Sequence, residues 1–104
     1  MLSDVRRIVE QGPLGVQTLE EFVQACLERA ASGDGEAVAL FVFAKLVQPF
    51  SDYYSDQALS AGRAVEFRDR LLSSLSAYEA AGSSEERQAV LRDAIRDGLE
   101  DADR

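Results

Sequence analysis

Histidine is absent from the 104 residues, cysteine occurs once, and Lys45 is the sole lysine. Without imidazole, Ser-His-Asp and Cys-His nucleophile systems, histidine general acid–base catalysis and most transition-metal sites are excluded. A single thiol cannot close an intrachain disulfide, nor hold zinc or an iron–sulfur cluster. Cys26 lies on the apolar stripe of a predicted helix, with Phe22, Val23, Arg29 and Ala30 at helical spacing, so it reads as a small hydrophobe. No uninterrupted apolar run approaches the roughly 20 residues that span a bilayer, and Arg6 and Arg7 are followed by no signal-peptide core. The expectation is a complete cytoplasmic chain with no membrane contact.

Cations are scarce as a class: 11 Lys and Arg face 19 Asp and Glu, for a formal net charge of −8. Direct binding to nucleic acid or to anionic lipid is therefore not expected, because both need cations to release counterions or neutralise headgroups. A basic protein surface is the favoured partner. Phosphate cradles are missing too, since the glycines stand alone as helix stops and form no G-x-x-x-x-G-K or G-x-G-x-x-G array. Asp34-Gly35-Glu36 and Asp97-Gly98-Leu99-Glu100-Asp101 lack the alternating acids and distal glutamate of a calcium loop. No metal and no cofactor are expected.

Catalysis would have to rest on carboxylates, tyrosines, arginine or Lys45. The acid pairs Glu20–Glu21, Glu85–Glu86 and Asp93–Asp97 are what an acidic composition produces, and they read as solvated faces. A non-enzymatic protein is the expectation.

What is present is helical periodicity. Ser3 is expected to cap a short first helix carrying Val5, Ile8 and Val9, which ends at the turn Gly12-Pro13-Leu14-Gly15. Thr18 and Glu21 have capping-box spacing, and Leu19, Phe22, Val23, Cys26, Leu27 and Ala30 follow at i, i+3, i+4 steps up to Ser32-Gly33. Asp34 is expected to cap the next segment, Ala37 to Val47, which is apolar on every face except Lys45 and so reads as a central helix. From Gln48 to Gly62 a turn at Pro49 and a short helix are expected. Beyond Gly62, Ala64, Phe67, Leu71, Leu75 and Tyr78 share one face, with Leu72 beside it and Glu66 placed to pair with Arg70; Gly82 closes that helix. Ser83 or Ser84 opens the last one, Ser83 and Glu86 having capping-box spacing, and its buried stripe is Leu91, Ala94, Ile95, Leu99 and Ala102. The fold class is all-α, a compact bundle of about five helices forming one domain over residues 1–104, since a chain of this size builds one core.

One segment stands out as a partner-binding candidate: Phe50, Asp52, Tyr53, Tyr54 and Asp56, aromatic anchors among short acids that would steer toward a basic surface. In the competing reading these rings plug one end of the bundle with their hydroxyls at the water. Asp52-Tyr53-Tyr54 and Asp56, with the size, acidity and helicity of the chain, resemble the small acidic helical immunity proteins that block nuclease bacteriocins. That resemblance implies adjacent tyrosines on a short helix docking onto a toxin. It covers those residues only, and the long helices expected after Gly62 depart from it.

Three readings of function follow in order. The first is a protein–protein interaction module, an inhibitor, immunity-type protein or regulatory adaptor. The second is a structural homo-oligomer, a homodimer for example, burying Phe41, Phe43 and Val47 against its copy. The third is a nucleic-acid mimic presenting Asp93, Asp97, Glu100, Asp101 and Asp103, which the interleaved Arg92 and Arg96 weaken.

Overall fold

Five apolar stripes of helical period give five helices in the computed structural model, which describes residues 2–33 and 35–98. They are α1 (Ser3–Gln11), α2 (Val16–Ala31), α3 (Ala37–Tyr53), α4 (Ala61–Ala80) and α5 (Ser84–Asp97), with no strand among the described residues. The fold is an all-α bundle. No helix among the described residues is long and apolar enough to cross a membrane.

The stripes meet in one cluster that draws on every helix: Leu2 just before α1 and Val5 and Val9 within it, Phe22 and Cys26 of α2, Leu40, Phe43, Val47 and Phe50 of α3, Phe67, Leu71 and Leu75 of α4, and Leu91 of α5. Each large side chain withdrawn this completely contributes about 1.5–3 kcal/mol of transfer free energy. α2 lies along α3, α1 rests on α2 and α4, and α5 rests on α4 and α3. Arg6 of α1 ion-pairs with Glu79 of α4, tying the first helix to the fourth.

Helix starts follow capping chemistry in the second half of the chain. The Ser60 hydroxyl accepts from the Arg63 amide at 3.2 Å, and the Ser83 hydroxyl accepts from the Glu86 amide at 3.1 Å. The Glu86 carboxylate reaches back to the Gly82 amide at 2.8 Å, which satisfies a second donor at the same end. The first half differs from expectation. Ser3 is already inside α1, behind Leu2, and makes no cap. α2 starts at Val16, two residues before Thr18, because Gly15 turns the chain at φ 154°. Thr18 is thereby carried into the helix, where it is buried and donates its hydroxyl to the Pro13 carbonyl.

The largest departure is at Pro49, which lies inside α3 and does not end it. A proline interrupts the ladder by failing to donate to the carbonyl four residues earlier, here that of Lys45. Lys45 and Pro49 are both exposed, so the interruption falls on the wet side, where solvent can supply the missing donor. The inner side keeps Val47, Phe50 and Ser51 buried, and that packing carries the helix to Tyr53. One smaller correction concerns Ile95, which is exposed although its stripe mates Leu91 and Ala94 are buried; Glu66 also lies 3.6 Å from Arg63. Asp34, Leu99 and Ala102 fall outside the described residues.

Candidate functional site

α3 carries more apolar surface than the bundle can cover. Ala39, Leu40, Phe43, Ala44, Val47, Phe50 and Ser51 face inward. At 100° per residue, Val38, Phe41, Lys45, Pro49, Asp52 and Tyr53 all fall within about 60° of one direction, opposite that inner face. Val38 is 74 % exposed, Phe41 49 % and Tyr53 62 %, and Lys45, Pro49 and Asp52 are exposed with them. The Lys45 ammonium sits 5.4 Å from the Phe41 ring centroid, within cation–π range. The helix is therefore central along one face and open along the other.

The aromatic segment is divided by the same periodicity. Phe50 is 1 % exposed and stacks on Phe67 at 3.9 Å between centroids with 15° between planes, so it belongs to the core and is not available to a partner. The extension of α3 through Pro49 is what turns it inward. Tyr54 is half-buried, 4.8 Å from Phe50, and its hydroxyl accepts from Arg63 Nε at 3.3 Å. Tyr53 alone projects, and its ring meets that of Tyr54 edge-on at 4.8 Å. Asp52 and Asp56 are exposed beside it. Plugging and presentation are thus split between the rings: Phe50 and Tyr54 close the end of the bundle, and Tyr53 stands on it.

Electrostatically this end is anionic. The last turn of α3 holds no basic residue, and Asp52 and Asp56 add to the negative pole of the helix dipole, against the single guanidinium of Arg63 that α4 brings beside Tyr54. Phe43 and Val47, expected at a homo-oligomer contact with Phe41, are 1 % and 0 % exposed; of the three only Phe41 reaches the surface.

An open recess of about 290 Å³ is lined by Gly35, Glu36, Tyr78, Glu79 and Arg87. Burial, then the charge and hydrogen bond of Glu36, hold the Tyr78 phenol above its ordinary value, while Arg6 takes Glu79. On α5, Arg96 lies 3.3 Å from Asp93 and 3.1 Å from Asp97, so a cation sits between the two described acids of the mimic row; Glu100, Asp101 and Asp103 lie outside the described residues. Burial pushes the Cys26 thiol up to about 12, which leaves no thiolate at neutral pH. Among the described residues no group of three or more acids and cysteine is placed to hold a metal.

No family model matches the chain, and no curated protein or solved structure matches it. Val38, Lys45 and Pro49 were not singled out in the sequence, although their i, i+3 and i+4 relation to Phe41 and Tyr53 is written there.

Proposed function

We propose that the protein is a non-enzymatic interaction module that docks a basic partner protein at the C-terminal end of α3, with Tyr53 as anchor and Asp52 and Asp56 as the attracting acids. The observation that carries this reading is the Tyr53 ring, 62 % exposed yet positioned by a helix and by the edge of Tyr54. An aromatic side chain pre-set in this way loses little conformational entropy on binding, which is what an interface anchor requires. Its acidic neighbours and the dipole of the helix end favour a cationic counterpart and speed its approach at low salt. An inhibitor, an immunity-type protein and a regulatory adaptor all use such a surface.

The test is a photoreactive phenylalanine analogue at position 53 of the full chain, expressed in its own cells, with Ser73 on the exposed side of α4 as control position. The expected result is a cross-link from position 53 to a basic protein that position 73 does not form. The same set of products from both positions, or none from either, defeats the reading.

A further inference from the structure

We infer that the outer face of α3, from Val38 to Tyr53, is one continuous strip that receives a basic amphipathic helix of about four turns from a partner protein. This rests on the docking reading and extends its site along the helix. Val38, Phe41, Pro49 and Tyr53 follow one another down a single face, with Lys45 between Phe41 and Pro49, and the 15 steps of 1.5 Å from residue 38 to residue 53 make it about 22 Å long. Isolated exposed hydrophobes are ordinary on a monomer, but a row of this length is what grooves and helix-docking faces present.

The backbone decides the shape of the occupant. A helix face offers side chains, while its amides are satisfied internally, so an extended segment laid on it would leave its own N–H and C=O groups without partners. A helix brings its backbone already satisfied. The exception is the Lys45 carbonyl, which Pro49 cannot reach with a donor. That acceptor, in the middle of the strip, suits a hydroxyl, ammonium or guanidinium donor from the facing helix and marks its register.

Charge decides the sign. A second copy of this chain would bring a formal −8 against −8. A cationic helix meets Asp52 and Asp56 with opposite charge at the Tyr53 end of the strip, while Lys45 in its middle and Arg63 beside Tyr54 confine that attraction to the two acids.

The experiment places the photoreactive analogue in turn at positions 38, 41 and 53 of the full chain in its own cells, and maps each cross-linked peptide. Support requires that all three positions label one segment of about 15 residues, with net positive charge and apolar residues at helical spacing. That segment, made as a labelled peptide, is then titrated by fluorescence anisotropy. Phe41→Asp is expected to weaken it at least tenfold, and raising the salt is expected to weaken it further. Labelling from position 53 alone overturns the strip and leaves the docking site standing. Labelling of a second copy of this chain, or of an acidic or non-helical segment, overturns the proposed occupant. Silence at all three positions removes both readings.

Discussion

Replacing Phe50 and Tyr53 separately by alanine separates core from surface within one turn of α3. Phe50 is 1 % exposed, stacks on Phe67 at 3.9 Å, touches Tyr54, and lies under the Arg63 guanidinium at 5.9 Å. Phe50→Ala removes the transfer free energy of a buried ring, leaves a cavity, and forfeits an aromatic pair, for a loss of about 3–5 kcal/mol. Tyr53→Ala removes a ring that is mostly in water, and its cost should stay within about 0.5 kcal/mol. Urea unfolding followed by far-ultraviolet circular dichroism resolves the two. With a slope of about 1.5 kcal/mol per molar, a 4 kcal/mol loss lowers the midpoint by roughly 2.7 M, whereas Tyr53→Ala should move it by less than about 0.4 M. Domains of this size hold only about 5–15 kcal/mol in total, so Phe50→Leu, costing less than about 1.5 kcal/mol, keeps the comparison measurable if the alanine variant does not fold. A double-mutant cycle with Phe67→Ala should return a coupling of about 0.5–1.5 kcal/mol. Equal midpoint shifts for Phe50→Ala and Tyr53→Ala would refute the division of the segment, and with it the anchor assigned to Tyr53.

Pro49→Ala restores the missing donor to the Lys45 carbonyl and should stabilise the fold by about 2 kcal/mol, the helix preference of alanine less the greater freedom it gives the unfolded chain; a rise of several degrees in the thermal midpoint checks this. Gly12→Ala would put a Cβ 2.7 Å from the Ile8 carbonyl oxygen and 2.8 Å from Thr18 Cγ2, so a loss of about 1–3 kcal/mol is expected in chemical denaturation. Gly62→Ala, in the first turn of α4 with open space around it, should gain about 0.5 kcal/mol under the same assay. For Cys26 the sign runs through the unfolded state. Its thiol ionises near the ordinary 9.0 when unfolded but is pushed up to about 12 in the fold, by burial first and by Asp4 second, against the opposing charge of Arg29. Stability is therefore intact below pH 9.0 and is lost as pH rises through the interval to about 12, at no more than about 1.4 kcal/mol per pH unit. Thermal midpoints taken from pH 8 to pH 11 should fall more steeply for the native chain than for Cys26→Ala, and parallel curves would contradict the burial of the thiol.

The helices were legible because their apolar residues repeat at the helical period, and α4 shows this best: Ala64, Phe67, Leu71, Leu75 and Tyr78 are its buried face, as their spacing requires. Helix ends were legible where a side chain does the capping, as at Ser83. They were not legible where backbone geometry or tertiary packing decides. Thr18 looks like a cap from its distance to Glu21, yet Gly15 starts α2 earlier and turns the threonine hydroxyl toward Pro13. Pro49 looks like a terminator, because its local cost is visible in the sequence and the burial of Val47, Phe50 and Ser51 that outweighs it is not.

That one misreading accounts for most of what was missed at the surface. With a turn at Pro49, Phe50, Tyr53 and Tyr54 form an irregular aromatic cluster whose members cannot be told apart. With α3 running on to Tyr53, the period of the helix separates them, Phe50 to the core and Tyr53 to the same outer line as Val38, Phe41 and Lys45. A proline on that line is itself informative. On the inner face it would leave a carbonyl without a donor in apolar surroundings, at a cost of a few kcal/mol. On the outer face, where Lys45 and Pro49 are exposed, solvent or a partner can supply the donor that Pro49 lacks. The position of Pro49 therefore serves both faces of α3: the core tolerates it because the outer face is wet, and the outer face presents, beside its apolar row, an acceptor that helices ordinarily keep to themselves.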